Sequence, residues 1–453
     1  MRNDMTADTT HIQRLEALMD ANDMVNNPVQ VFEKYRLKSS PTFTFHFGGV
    51  RKTIVSSDPV LIQHVLKDNP NNYEKSDIQV KRMAEFQEKG LLNSHGDFWF
   101  RQRRLLSQGF TRSYLTKLLP IQADVLDQFM KNFNDQIQTG PTDVYQQMVN
   151  LTLRLVGKSL FGTEMQEKEL DRIGDAISEI QSFMVKQIVQ PYKIPWFRIS
   201  GQTAHYQKIR VDADRIVSEY ISKRKQEGSA GNDMLNLLLT TPAKDTGEIM
   251  SDDQLMIEIL QLLVAGNETS SNTLAWTFYL LARHPECLAK VRAEIRDTIG
   301  DGELDFIGLH KLSYTLQVID EATRLYPPFW MIDRVALKDD EAAGIHIQAG
   351  VMVVPYIYGV HHNELIWDNP EKFDPDRFEP AKVKARHPFA HVPFGGGPRV
   401  CIGQNMAIMQ ILLILATIVR KYDFSMVSDE PVPINPMMIL RPGTPILMNF
   451  KPV

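Results

Sequence analysis

Cys401 is the residue whose setting says most about chemistry. It stands in Pro393-Phe-Gly-Gly-Gly-Pro-Arg-Val-Cys-Ile-Gly403, with glycines at 395, 396, 397 and 403 and an apolar helical run starting at about Gln404. A thiolate just ahead of a helix N-terminus feels the partial positive charge there, which lowers a cysteine pKa. Glycines let backbone N–H groups approach the sulfur, and Phe394 is placed to keep water from it. A soft anionic metal ligand needs those conditions: fixed geometry, hydrogen bonds to sulfur and a dry shell. Zinc and iron–sulfur sites take several protein ligands, and the other cysteine, Cys287, sits in a separate helix-start segment, His-Pro-Glu-Cys-Leu-Ala-Lys. A haem iron needs one. The loop also fits a buried structural cysteine, or a nucleophile without an evident histidine and carboxylate. A phosphate loop would continue with Gly-Lys-Ser/Thr, which is missing.

Three other groupings bring charge or hydrogen-bonding capacity. Glu321-Ala-Thr-Arg324 sets an acid and a base at i and i+3 on one helix face. Leu-Tyr-Pro-Pro follows directly, and about fifty residues later Phe373-Asp-Pro-Asp-Arg377-Phe378. Taken alone, such an acid–base pair is a solvated surface pair of small energetic value. Ala265-Gly266-Asn267-Glu268-Thr269-Ser270 lies inside a long apolar helical run, where glycine and threonine predict a local opening of the hydrogen-bond ladder. The alternative is a threonine bonding back to its own helix. Trp99-x-x-x-Arg103 puts an indole and a guanidinium one turn apart on one helix face.

The elements that must carry these groups are mainly helical. Helical periodicity is read at about Asp97–Gln108, Ser113–Gln138, Asp143–Phe161, Glu167–Val189 and Thr203–Glu227, with breaks at Gly140-Pro141, Gly162 and Pro191 to Gly201. The longest helix is expected from Ser251, which opens a capping box, to Arg283, before His284-Pro285. Helices at about Pro285–Ile299, Leu312–Tyr326 and Gln404–Lys421 follow. A hairpin is expected at Thr42–Gly48 and Arg51–Ser57, a short helix from Asp58-Pro59, irregular chain over Tyr73–Leu92, and short strands around Ile345–Tyr358 and in the tail.

Composition sets the frame. Of 453 residues, 43% are hydrophobic and 23% charged, a folded globular balance, and a net charge of −5 gives no sign of nucleic-acid binding. Two cysteines make no disulfide framework and fit a reducing compartment. The runs Leu255–Ala265 and Met406–Val419 are shorter than the roughly 20 residues of a membrane span and are interrupted by Glu258, Gln261 and Gln410. No leader is read at the N-terminus, and no linker or repeat divides the chain. One cytoplasmic domain over residues 1–453, mainly α with a minor β part, is the expectation.

Phe394-x-x-Gly397-x-Arg399-x-Cys401-x-Gly403 resembles the haem-binding signature of the cytochrome P450 family of haem-thiolate monooxygenases, of the soluble bacterial type. The other three groupings occur in the order that family requires, so the likeness runs from Trp99 to the C-terminal helix. It implies a triangular domain with a long central helix crossing the haem, haem b bound with Cys401 as its axial ligand, and O₂ as co-substrate. It implies that Glu321, Arg324 and Arg377 form a buried structural network, and that Glu268 and Thr269 are the acid–alcohol pair that supplies protons, with Gly266 beside the cofactor. Trp99, Arg103, Arg334, Arg399 and His95 would hold the haem propionates. The activity implied is hydroxylation or O-dealkylation of a small organic substrate. A peroxygenase or isomerase on the same fold usually lacks the acid–alcohol pair, and a haem sensor needs no proton delivery.

In the resembled family, substrate is contacted near Ile78–Leu92, near Gln181–Ile188, before Gly266 and after Pro328. Lys81, Arg82, Gln181, Gln261, Trp330 and Asp333 give these stretches a mixed lining. That leaves open a methoxy compound or methyl sugar, a terpenoid or a fatty acid. A monomeric haem domain of this length has no room for a flavin or ferredoxin module, so electrons are expected from an acidic ferredoxin or flavodoxin and its NAD(P)H reductase. Phe98–Ala123 and Pro380–Tyr422 contain no Asp or Glu and offer a basic docking face.

Overall fold

Alternating aromatic and β-branched residues over Thr42–Phe47 and Arg51–Ser56 pair as an antiparallel hairpin, from Thr42 opposite Ser56 to Phe47 opposite Arg51. The computed structural model describes residues 10–38, 40–47, 51–162, 165–228, 231–242 and 247–453, so the expected Gly48-Gly49 turn lies outside the described residues. The chain sorts into two compact units. The first takes the N-terminal stretch to Ser76, Tyr314–Cys401 and Pro433–Gly443; the second takes Asp77–Ser313, Ile402–Val432 and Thr444–Val453. Both are discontinuous, which is why no linker marks their border in the sequence. The longer helices are α1 (Gly96–Ser107), α2 (Arg112–Ile137), α3 (Val144–Phe161), α4 (Glu167–Val189), α5 (Gln202–Glu227), α6 (Asp252–Arg283), α7 (Pro285–Thr298), α8 (Ser313–Leu325) and α9 (Gln404–Lys421). The fold is mostly helical with a small sheet part, as expected.

The first unit is built on a sheet of β1 (Thr10–His11), β2 (Thr42–Phe47), β3 (Arg51–Ser56), β4 (Tyr73–Glu74), β5 (Arg334–Ala336) and β6 (Met352–Pro355), ordered β1-β2-β3-β6-β5-β4. Alternation decides its faces. Phe43, Phe45 and Val55 pack with Phe32 and Tyr35 of the Pro28–Lys38 helix, whereas Ile54 and Val353 pack with Leu61, Leu66 and Val360. Asp58 caps the Pro59–Gln63 helix by accepting the Val60 N–H at 2.8 Å. The Asp340 carboxylate then gathers His64 Nε2 at 2.8 Å, the Tyr73 hydroxyl at 2.8 Å and Asn69 Nδ2 at 3.0 Å. Burial opposes its charge, but these donors hold Asp340 well below the usual carboxylate range.

The second unit is the helical one. Ser251 Oγ accepts the Gln254 N–H at 3.3 Å at the start of α6, and Asp252 and Asp253 suit the dipole of its first turn. Against α6 lies α3, with Thr152 Oγ1 donating to Asn267 Oδ1 at 2.7 Å. Short helices at Ile194–Ile199, Met234–Thr240 and Phe306–His310 escape periodicity analysis because one or two turns carry too few residues to show a period. Asp233 and Asp305 cap two of them, accepting from Asn236 N–H at 2.9 Å and Gly308 N–H at 2.6 Å, and are the signal that could have found them. Among the described residues no helix is long and apolar enough to cross a membrane.

The segment before α1, expected to be irregular, is helical over Ile78–Gln87 and is stitched to α6. Glu258, fully buried, accepts the Leu91 N–H at 3.0 Å and Gln254 Nε2 at 2.8 Å. Gln261 accepts the Leu92 N–H at 2.9 Å and donates to the Gln87 carbonyl at 3.2 Å. Gly90 permits the approach, since a Cβ there would sit 2.6 Å from Gln261 Oε1. The two polar residues that break the apolar run of α6 are thus its attachment points.

Burial pushes the Glu258 carboxyl up to about 7, against the Leu91 and Gln254 donors. A carboxyl raised in the folded state contributes most when protonated, and that contribution fades as pH rises from the ordinary value through 7. Glu258→Gln keeps an acceptor for Leu91 but cannot ionise. Between about pH 5 and about pH 8 the variant should therefore gain stability on wild type, by on the order of 3 kcal/mol. Denaturant melts of both proteins across that range check it; parallel curves refute it.

Candidate functional site

The cysteine loop closes on itself. Cys401 N–H donates to the Phe394 carbonyl at 3.0 Å, Gly395 N–H to Val392 at 3.0 Å and Val400 N–H to Gly397 at 3.1 Å. Gly395 and Gly397 hold φ of 72° and 66°, a region that favours glycine. A Cβ on Gly397 would lie 1.9 Å from the Leu66 carbonyl oxygen. No other residue type fits there, so the loop rests on the backbone that Asp340 anchors.

The coil leading to that loop is fixed by charge. Arg324 donates Nε to Glu321 Oε2 at 2.6 Å and Nη2 to Oε1 at 2.8 Å, and both side chains are fully buried. Arg377 Nε lies 3.3 Å from Glu321 Oε1, which also accepts the Asp374 N–H at 2.9 Å. Arg324 reaches on to the carbonyls of His361 at 2.8 Å and Lys372 at 3.3 Å. The spacing i, i+3 is therefore a core network rather than a surface pair. His361 was not anticipated: its carbonyl takes Arg324 while its Nε2 accepts the Val392 N–H at 3.0 Å, two residues before Phe394. Burial, reinforced by Arg324, pushes His362 and His391 down to about 3 and His361 well below its usual value, so these imidazoles stay neutral around the guanidinium.

In the first unit Lys75 stands within electrostatic reach of Arg334 and Arg399. Arg334, on β5 and 7% exposed, donates Nη1 to the Asp333 carbonyl at 2.7 Å. Antiparallel pairing of Tyr73 with Ala336 and Glu74 with Val335 carries Lys75 alongside it. Burial pushes the Lys75 ammonium down to about 7, with Arg334 and Arg399 adding repulsion and Asp333 opposing it. Lys75 is the site residue that sequence reading missed, because the pairing that brings it there spans the chain.

The second unit holds the remaining candidates. Trp99 is buried and Arg103 half-buried, one turn apart on α1, with His95 at its N-cap. Glu268 is buried at 8% exposure on α6, and Thr269 Oγ1 donates to the Ala265 carbonyl at 2.7 Å. The helix runs through this stretch without a break, so the expected opening gives way to the alternative, a threonine bonded back to its own helix. The direction in which Gly266 would carry a side chain is filled by Val156 of α3, 3.0 Å from an added Cβ, so its glycine serves helix packing. A cleft opens among α4, α5, α6 and the segment before α1, with Phe86, Ile177, Ile180, Leu260 and Val264 in its apolar walls. Gln181 and Gln261 line it as expected; Lys81 instead pairs with Asp77 at the surface, and Trp330 is a core residue of the first unit, donating Nε1 to the Met437 carbonyl at 2.9 Å.

Residues 15–450 match the cytochrome P450 family. The chain belongs to that family. Cyclooctat-9-en-7-ol 5-monooxygenase of Streptomyces melanosporofaciens is 29% identical over 83% of this chain and 80% of its own. Putative cytochrome P450 132 of Mycobacterium tuberculosis is 29% identical over 90% of this chain and 89% of its own. The crystal structure of the cytochrome P450DA heme domain shares the fold, with a TM-score of 0.81 at 24% identity over 91% of this chain and 89% of that one. This cytochrome P450 is a monooxygenase of a family whose members use haem and O₂. The residues present fit the cofactor. A glycine-set loop carries a cysteine, and Lys75, Arg334 and Arg399, offset within the group by Asp333, suit a ligand bringing two carboxylates.

Proposed function

We propose that this cytochrome P450 hydroxylates or O-dealkylates a small, mainly apolar organic molecule, that Cys401 is the axial ligand of its haem, and that both units serve one catalytic domain. What carries the reading is the joint occurrence, in one unit, of a cysteine on a glycine-set loop and the Lys75–Arg334–Arg399 cluster. Bound haem supplies O₂ activation and transfer of one oxygen atom, consuming two electrons and two protons. The protein's own residues do the rest. Lys75, Arg334 and Arg399, together with Trp99, Arg103 and His95, hold the propionates, and Phe394 keeps water from the sulfur. Glu321, Arg324 and Arg377 hold the coil that presents the loop. Thr269 Oγ1, its proton committed to Ala265, receives a hydrogen bond, and Glu268 carries a proton to be relayed. The apolar cleft supports an apolar substrate, as does the Streptomyces relative, named for oxygenation of cyclooctat-9-en-7-ol, a neutral alcohol.

Electrons come, on this reading, from an acidic ferredoxin or flavodoxin. The acid-free run of the second unit leaves Arg101, Arg104, Arg112 and Lys117 exposed, and that of the first leaves Lys382 and Lys384 exposed. Arg386 drops out of the set, since it donates to the Arg377 carbonyl at 2.9 Å and covers the Trp367 ring at 3.8 Å.

The reduced, CO-bound protein should show the red-shifted Soret band of thiolate-ligated haem, and Cys401→His should abolish it even where haem is retained. A band that survives the substitution removes the ligand assignment. Thr269→Ala should leave haem content and substrate binding near normal while diverting electrons to hydrogen peroxide; the ratio of product to reduced cofactor consumed reads it, and unchanged coupling removes the role. Reduction by an acidic ferredoxin should slow as salt rises, because steering is screened over about 8–10 Å at physiological ionic strength. Arg104→Glu or Arg112→Glu should slow it too; a rate indifferent to salt and to both reversals excludes the docking face.

A further inference from the structure

The cleft of the second unit ends in charge. Glu88, on the segment that α6 holds in place, pairs with Arg210 of α5, whose Nη1 lies 3.4 Å from Asp214 Oδ2 one turn further on. Glu88 keeps a left-handed backbone, with φ of 53°, which is costly for a residue other than glycine. Its carbonyl is taken by Asn93 Nδ2 and, at 3.4 Å, by Gln261 Nε2. Strain held in place by surrounding bonds at a ligand cleft marks a residue whose position is used. One guanidinium faces two carboxylates, so the group carries excess negative charge when both are ionised. Burial, with a contribution from Glu88 and against Arg210, pushes the Asp214 carboxyl up to about 6, which leaves it mostly ionised at neutral pH. The Arg210 Nε–H is buried and meets no acceptor among the described residues.

We propose that Arg210, Glu88 and Asp214 form the headgroup anchor of the cleft, selecting apolar molecules that bear a neutral hydroxyl group and rejecting alkyl carboxylates. A hydroxyl meets both demands of the triad: its oxygen accepts from Arg210 and its proton goes to a carboxylate. A carboxylate only accepts, and adds a third negative charge beside two. An alkylammonium satisfies the carboxylates but leaves the Arg210 donor unmet. The inference rests on reading this cleft as the substrate site.

The haem-loaded full chain is titrated at neutral pH and low salt with decanol, decanoate and decylamine by calorimetry, while the spin-state change of the Soret band is followed in parallel. Decanol should bind at least about tenfold tighter than decanoate, and Glu88→Gln/Asp214→Asn should abolish the preference. Asp214→Asn alone, which removes one carboxylate, gives the same comparison if the double variant loads haem poorly. Decanoate binding as tightly as decanol, no binding of decanol, decylamine binding more tightly than decanol, or a preference that survives the substitutions each overturns the anchor. A calorimetric preference without any spin-state change keeps the anchor and refutes the cleft as the substrate site. Spin-state titrations that give alcohol and carboxylate the same midpoint keep the cleft and refute the anchor.

Discussion

A carboxylate and a guanidinium sealed from water three residues apart on α8 are the interaction on which the first unit depends. Burying Glu321 and Arg324 together costs desolvation energy that their mutual attraction repays only if their remaining donors and acceptors are met. Here they are. Glu321 receives Arg324 and the Asp374 amide, with the Arg377 guanidinium 3.3 Å from its Oε1, while Arg324 reaches two carbonyls beyond its partner. The unspent bonding capacity of a buried pair thus becomes a set of fixed points for irregular chain. Through His361 one of them passes to Val392, and so to the turn that carries Cys401. A coil without regular hydrogen bonds acquires a definite course because a charge inside it tolerates no other.

The second unit solves a comparable problem with one long helix. Its apolar character buries it, and its few polar side chains are spent on neighbours. Asn267 ties it to α3, while Glu258 and Gln261 hold a segment that would otherwise lack a partner for its amides. The cleft inherits its shape from these attachments, since Phe86 and Glu88 lie on the segment they secure. Glycine contributes in the same way to both units. Gly397 and Gly90 remove bulk where backbone or amide must come close, and Gly266 does so between two helices.

Much of this was legible in the sequence because it is local. Ser251 and Asp58 announced helix starts and His284-Pro285 a stop; each is decided by neighbours within a few residues. Glu321 and Arg324 could be paired from spacing, whereas their burial, which depends on residues some forty to fifty positions away, was implied only by the family resemblance. Lys75 was invisible because its company is set by strand pairing with residues 334–336. Trp330 and Asp333 were placed near substrate by the family resemblance, and Trp330 closes an aromatic cluster with Phe32 and Tyr356. Thr269 showed the limit of a local rule with two outcomes, since composition could not choose between an opened ladder and a side chain bonded to its own turn.

The pairing of β3 with β6 joins Thr53 to Met352, and Leu440 completes the same core, so the sheet's two halves are separated by roughly 300 residues of chain. On a ribosome, the N-terminal hairpin emerges long before its partner strand exists. Its aromatic face must wait, exposed, until Met352–Pro355 and Leu440 have followed. The second unit waits as well, since Leu447 and Met448 near the end of the chain pair with Asp143 and Thr142. The cysteine loop, packed on Leu66, belongs to the first of these late-closing units, so the turn that carries Cys401 gains its full surroundings only near the end of synthesis.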